Sequence, residues 1–213
     1  MRGEVAGSSE AEVPELVGGH PAVDFVNTVA WRLDPSRTIE RLPDAAALVG
    51  WCGAVAVLDP AGVVAARAQA RASSIDEASP AGRARGLRED LYRVLAPVAR
   101  GGTPADDDAA LVGRAMTVAL CQAEITTVVP RSWAIRRPTL SQLSEAIAVA
   151  VWRLFRFEDL TRLRECADGA CGWLFLDRSR NASRRWCSSR HCGNRDHARR
   201  HYHRHHSAGS HHR

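Results

Sequence analysis

Lysine is absent from this 213-residue sequence, and all 29 basic residues are arginine. A GC-rich coding bias accounts for that absence, so we attach no function to it. Long apolar runs are also absent. A membrane-spanning helix needs about 20 apolar residues, whereas the best stretch, residues 146–152, lies between Glu145 and Arg153. The first 16 residues contain four glutamates and no apolar core of a secretory signal. We therefore expect a cytoplasmic protein without a membrane partner.

The short sequence signatures of common catalytic sites are missing too. There is no nucleophile elbow, no phosphate-binding glycine loop and no His-Glu zinc-protease motif. We therefore expect no enzymatic activity.

Positive charge is concentrated at the C-terminal end. Residues 150–213 contain 14 Arg and 6 Asp or Glu, a balance of +8, and residues 1–149 contain 15 Arg and 18 acidic residues, a balance of −3. This asymmetry predicts a polyanionic partner for the C-terminal part. Arginine suits such a partner because its planar guanidinium can bind phosphate or a guanine edge with two hydrogen bonds.

Apolar periodicity divides the chain into four parts. We predict a flexible leader (1–16), a mainly helical domain (17–160) with one or two short strands in 124–137, a zinc finger (161–204) and a His-rich tail (205–213). Thr139 and Gln142 have the spacing of a helix capping box. Pro60 is expected to close one helix, and Pro97 to kink or fray another. The helices are predicted after Pro21 and at 43–58, 61–72, 84–99, 104–121 and 139–157.

Six cysteines without an export signal favour metal binding or free thiols over disulfides. Cys52 and Cys121 lie in apolar helical stretches, and we expect both in the core. The other four form two copies of the pattern Cys-x4-Cys-Gly, separated by fifteen residues: Cys166, Cys171, Cys187 and Cys192.

Each of these pairs, closed by a tight turn, lets two thiolates approach one metal from the same side. Four thiolates at tetrahedral corners suit a structural Zn²⁺ and leave no position for a catalytic water, so we predict one zinc per chain. Four unrelated thiols are the plain alternative, but the polar, Gly- and Arg-rich surroundings offer no core to bury them. An iron–sulfur cluster is not excluded by four cysteines; the absence of a redox-partner motif favours zinc. His191 is a minor alternative to its neighbour Cys192 as a ligand.

The segment between the two pairs is predicted to form a β-hairpin. Residues 173–177 are typical of a short strand, 178–183 of a turn, and 184–186 of the returning strand, with Trp173, Phe175 and Trp186 packing it. A helix is expected to begin near Gly193. Two knuckles, a hairpin and a helix give a treble-clef-like layout whose core is the metal.

Two groups of motifs resemble known families. Arg184-Arg185-Trp186-Cys187 together with Cys192-Gly193-Asn194-Arg195 resembles the CGNR zinc finger. Asp24-Phe25-Val26-Asn27-Thr28 and Leu87-Arg88-Glu89 resemble the ABATE domain that accompanies this finger in bacterial stress-induced transcription regulators. The resemblance implies that the four cysteines bind zinc and that the neighbouring arginines meet DNA. After Arg195 this sequence departs from its relatives, with Asp196-His197 and a His-rich tail in place of a Lys/Arg-rich helix.

The residues expected to contact nucleic acid form a cluster around the second cysteine pair. Arginines that neutralise phosphates displace counterions, and an asparagine can pair with an adenine edge in the major groove. For any single arginine, a solvated surface charge is an equally good explanation. DNA is the expected partner, with RNA or protein as the alternative; a treble-clef nuclease would need a histidine base, and 173–186 contains none. The candidates are Arg178, Arg180, Arg184, Arg185, Arg190, Asn194, Arg195, Arg199 and Arg200.

A polar group near the N-terminal glycines is a second candidate site. Asp24, Asn27, Thr28 and Trp31 would share one helical face and line an effector pocket for a small molecule. A hydrogen-bonded contact to another helix is the more common role for such a stripe. The helical domain would then sense a signal or mediate assembly, for example as a homodimer.

Overall fold

The computed structural model describes residues 15–71, 79–125 and 133–207, with the backbone alone for 203–207. Most of the predicted leader and the last six residues of the predicted tail lie outside these ranges. Within them the chain is mainly helical, as predicted, and the only sheets are two-stranded. The helices are α1 (Pro21–Val26), α2 (Ala45–Ala54), α3 (Pro60–Ala70), α4 (Pro80–Ala99), α5 (Asp106–Gln122), α6 (Leu143–Phe157) and α7 (Asn194–Ser207).

In the described residues, three antiparallel strand pairs and three short helical turns (Leu140–Gln142, Leu160–Arg162 and Ser189–Gly193) accompany these helices. β1 (Val29–Ala30) pairs with β2 (Ile39–Glu40), and β3 (Glu124–Ile125) pairs with β4 (Trp133–Ala134) inside the region where short strands were predicted. β5 (Leu163–Glu165) pairs with β6 (Leu174–Leu176). Within the described residues no helix is both long and apolar enough to cross a membrane.

Local side-chain chemistry explains most helix starts. The Thr139–Gln142 capping box is present just before α6. Pro60 does not close the preceding helix, which was predicted to run to 58: α2 already ends at Ala54, and Pro60 occupies the first turn of α3, where its missing N–H costs nothing. Pro97 lies inside α4, and the helix still continues to Ala99.

One hydrophobic core joins the helices to the start of the finger. In α6 the side chains of Leu143, Ile147, Val151 and Leu154 are fully buried at helical spacing. Cys52 is buried as predicted, whereas Cys121 is exposed, because it lies on the solvent side of the last turn of α5. The prediction of a core position for Cys121 was therefore wrong.

The hairpin of the finger differs from the predicted one in its pairing. The strand at 174–176 forms, but it pairs with β5 on the other side of the first cysteine pair. The returning segment instead supplies one backbone contact, in which the Ala167 N–H donates to the carbonyl of Arg185 (2.8 Å).

The alternation along β6 explains why this pairing is stable. Leu174 and Leu176 pack into the core of the helical domain, whereas Phe175, on the opposite face, packs against the four cysteines. Both faces of the strand are therefore buried, and the finger shares an element with the helical domain. The predicted division at residue 160 remains a prediction.

Candidate metal centre

Four buried sulfur atoms converge at the junction of the two parts of the chain. The ligand atoms of Cys166, Cys171, Cys187 and Cys192 all lie within 4.8 Å of one another. The Sγ of Cys187 is 3.7 Å from that of Cys171 and 3.5 Å from that of Cys192. A tetrahedron with Zn–S distances of about 2.3 Å has S···S edges of about 3.8 Å. The donor set and its spacing therefore fit one Zn²⁺ with no open coordination position.

Backbone turns bring each pair of sulfurs together. In the first pair, the Cys171 N–H donates to the carbonyl of Asp168 (2.9 Å), and Gly172 follows in the left-handed region (φ +69°). In the second, the N–H of Gly193 donates to the carbonyl of Ser188 (3.1 Å). The Cys187 N–H donates to the sulfur of Cys166 (3.5 Å), which links the two pairs.

The four sulfurs compete for protons, because a hydrogen bond that stabilises one thiolate keeps its neighbour protonated. The pKa values of Cys166 and Cys192 are lowered, and those of Cys171 and Cys187 are raised. Hydrogen bonds from Cys171 and the other two thiols hold the pKa of Cys166 well below its usual range, because they stabilise its charged form. Arg195 adds a charged donor, with its Nη2 3.0 Å from the sulfur of Cys192. A bound zinc would neutralise the sulfurs further and hold both knuckles in one unit.

Two carboxylates that the sequence reasoning missed organise the surroundings. Asp168, between the first two cysteines, is 1% exposed and accepts a hydrogen bond from the Arg195 Nε (2.7 Å). Burial is the largest single influence on Asp168 and opposes its ionisation, but the hydrogen bonds from Arg195 and the Ala170 N–H, together with the charges of Arg195 and Arg199, lower its pKa. Asp177 is fully buried and accepts from the backbone N–H groups of Ser179 and Arg184 (both 2.9 Å). The available sequence signal was an aspartate, Asp168, between the two cysteines of the first pair.

Three of the predicted nucleic-acid contacts hold the finger to the rest of the chain. Arg178 donates to the carbonyl of Gly19 (3.0 Å) and pairs with Glu158 (2.9 Å). Arg184 donates to three backbone carbonyls, including that of Val17 (3.0 Å), and lies over the ring of Phe175. Together with Arg195, these arginines have donors committed to partners inside the protein.

The remaining candidates point outward. Arg180, Arg190 and Asn194 are exposed, and the two arginines have no carboxylate partner within the described part of the chain. Arg185 is exposed and lies over the ring of Trp186, 5.1 Å from its centroid. Arg199 and Arg200 form ion pairs with Asp196 in the same helix, and about half of each side chain is exposed. Arg199 also lies 3.5 Å from the buried carboxylate of Asp168.

The candidate effector residues are buried and engaged. The helix that carries Asp24 ends at Val26, so the four residues do not share one helical face. Asp24 accepts from the N–H of Gly18 (2.7 Å), and Thr28 accepts from Arg88 (3.1 Å). Asn27 donates to the carbonyl of Leu174 (2.8 Å) and accepts from its N–H (2.9 Å).

The three side chains are hydrogen-bonded, but only Thr28 meets another helix, through Arg88 of α4. Asp24 binds the N–H of Gly18 ahead of its own helix, and Asn27 binds strand β6. A cleft of about 320 Å³ does adjoin the metal centre, but its lining includes Trp31, Arg41 and Trp173 in place of Asp24, Asn27 and Thr28.

Comparison with known protein families agrees with this geometry. The model of the CGNR zinc finger matches residues 162–205, and the ABATE model, described as "Putative stress-induced transcription regulator", matches residues 19–174. The two matches overlap over 162–174, the segment that contains β5 and the start of β6. No curated protein matches the sequence. The chain belongs to the ABATE family and carries a C-terminal CGNR zinc finger.

Proposed function

We propose that the protein is a zinc-dependent transcription regulator that binds DNA through the outward-facing side of its finger. The observation that carries the proposal is the division of the arginines. One group holds the finger in place, and the other presents charge to solvent from a unit that the metal centre organises. The outward-facing arginines carry like charges that repel one another, and a polyanion relieves that repulsion.

The start of α7 provides the element that would enter a groove. Asn194 and Ala198 lie one turn apart and are exposed, whereas His197, on another face, packs against Trp186 with ring centroids 5.7 Å apart. This arrangement leaves a face of small and polar side chains with Arg199 and Arg200 beside it. Asn194 is therefore our candidate for a base contact, and the arginines are candidates for phosphate contacts.

A salt series with two matched triple variants tests the proposal. Arg180→Ala/Arg185→Ala/Arg190→Ala removes three outward arginines, whereas Arg67→Ala/Arg71→Ala/Arg114→Ala removes three exposed arginines of the helical domain. For duplex DNA, the plot of log affinity against log salt has a negative slope, and the first variant should make that slope shallower by about 2 to 3. Each lost phosphate contact contributes about 0.9 to its magnitude. The second variant should leave the slope unchanged.

Competition with single-stranded RNA of equal length separates the partners. DNA binding predicts that RNA competes poorly with the duplex. Equal competition would favour the RNA alternative. An unchanged salt slope in a zinc-loaded Arg180/Arg185/Arg190 variant would remove the nucleic-acid function and leave protein interaction as the better account. In the proposed regulator, the helical domain is the part that senses a signal or mediates assembly.

A further inference from the structure

Residues 29–33, which we name the clasp, belong to the helical domain but contact the first cysteine knuckle. The Nε1 of Trp173 donates to the carbonyl of Val29 (2.7 Å), and the N–H of Arg32 donates to the carbonyl of Cys171 (3.1 Å). A Cβ at Gly172 would lie 2.9 Å from the Cγ of Leu33 and 3.1 Å from the Cβ of Arg32. The knuckle therefore closes directly against the clasp.

The ring of Trp31, at the centre of the clasp, lies between two guanidinium groups. The Cζ of Arg195 is 4.1 Å from the ring centroid, and that of Arg37 is 3.4 Å from it. Stacking of this kind is attractive because the ring face is electronegative. Trp31 also has a φ of +55°, a region that bulky residues rarely adopt and that persists only where surrounding contacts hold it.

Arg195 connects this ring to the sulfur cluster. Its Nε donates to Asp168 and its Nη2 to the sulfur of Cys192. Asp168 lies inside the first knuckle, where its side chain accepts from the N–H of Ala170 (3.3 Å) and its carbonyl from that of Cys171. One guanidinium therefore contacts both cysteine pairs, directly at Cys192 and through Asp168 at the other.

The charge of the centre makes the position of Arg195 important. Four thiolates around one Zn²⁺ carry a formal charge of −2, and Arg195 donates directly to one of these sulfurs. Partners outside the ligand set orient ligands and commonly change metal affinity by about 10- to 100-fold. Without the Trp31 ring, the guanidinium would lose its stacking contact and be left with its hydrogen bonds to Asp168 and Cys192 to set its position.

We propose that Trp31 is a positioning residue of the zinc centre: it holds Arg195 against Cys192 and Asp168, so that the helical domain sets how firmly the finger retains zinc. The inference does not depend on nucleic-acid binding. The clasp would also couple the helical domain to the zinc centre, because any ligand or partner that moved residues 29–33 would change zinc retention.

Zinc release from the full-length, zinc-loaded protein to an excess of chromogenic chelator measures this role. Trp31→Gly removes the ring, and glycine adopts a positive φ without strain. We expect release about 10- to 100-fold faster than in the unaltered protein, with an unchanged helical circular dichroism spectrum. Trp31→Phe, which keeps a ring face, should recover most of the difference. Phe157→Ala, which removes an exposed aromatic ring from the end of α6, is the matched control and should release zinc at the normal rate.

A double-variant cycle distinguishes positioning from a general loosening of the fold. If Trp31 acts through Arg195, Arg195→Gln alone should release zinc as fast as the Trp31→Gly/Arg195→Gln combination. Multiplied effects in the combination, or normal release from Trp31→Gly, would overturn the proposal. If the glycine variant loses helical structure, Trp31→Leu supplies the same comparison, because it keeps apolar bulk without a ring face.

Discussion

The side-chain amide of Asn27 stands in for a neighbouring strand along β6. It donates to the carbonyl of Leu174 and accepts from the N–H of the same residue, at 2.8 and 2.9 Å. Leu174 is fully buried and Asn27 is 2% exposed. Replacing Asn27 by Ala therefore removes the partners of two backbone groups to which water has no ready access.

The expected loss of stability follows from those two bonds. Each contributes about 1 kcal/mol net, and a buried backbone group left without a partner costs about 1–3 kcal/mol. Entry of a water molecule into the space left by the amide would offset part of this cost. We expect Asn27→Ala to lower the free energy of unfolding by about 3 kcal/mol.

Equilibrium urea unfolding of the zinc-loaded protein, followed by circular dichroism, measures this effect. Asn181→Ala, an exposed asparagine in the turn after β6, is the control and should change the unfolding free energy by less than about 0.5 kcal/mol. A loss from Asn27→Ala no larger than that of the control would show that the finger hairpin is held by apolar packing alone.

Two buried charges give further predictions. Burial raises the pKa of Asp24 to about 6, so the folded state binds a proton more tightly than the unfolded state and is destabilised as the pH rises from about 4 to 6. Asp24→Asn should therefore raise the melting temperature at pH 7.5 but not at pH 4. The gain at pH 7.5 corresponds to a free energy of unfolding on the order of 2–3 kcal/mol. Equal gains at both pH values would contradict this account. Arg88 is 3% exposed and pairs with Glu40 (2.6 Å) and Glu89 (2.8 Å). Arg88→Met should lower the urea unfolding free energy by about 3 kcal/mol, because two carboxylates lose their shared cation; an unchanged midpoint would show that water replaces the guanidinium.

The metal ligands were predictable because their chemistry is contained in local spacing. Each pair has the same five-residue separation and a following glycine, so the metal site forms as soon as the two turns come together. The helices were predictable for a related reason, since apolar residues that recur every three or four positions define a buried face without any knowledge of the partner. Thr139 and Gln142 predicted the start of α6 through contacts three residues apart.

The partner of β6 was not predictable in the same way. The run from Trp173 to Asp177 is apolar enough to be buried on both faces, and such a run does not specify the strand beside it. The predicted partner was the nearest following segment, 184–186. The observed partner, β5, is favoured because it brings Leu163 into the same core as Leu174 and Leu176.

The separate roles of the arginines were hidden for a physical reason. Composition reports a charge but not the group that the guanidinium meets, and the partners of Arg184 include Val17, 167 residues away in the sequence. Arg178 and Arg180 are two residues apart, yet the first binds Glu158 while the second is exposed. Only the tertiary fold separates an arginine that holds the structure together from one that faces a partner.

The position of β6 determines how the metal and the helical core support each other. One face of the strand packs into the core of the helical domain and the other packs against the four cysteines. The helical core therefore holds the strand in place even where the cysteines add little to its stability. The second knuckle and α7 lack such an apolar face, and α7 has a strongly polar composition. Their placement depends on Cys187, Cys192, the contacts of Arg184 and Arg195, and the packing of Trp186 against His197. We therefore expect zinc removal to affect the hairpin that joins the finger to the helical domain least, and the segment that carries Asn194 and the outward arginines most.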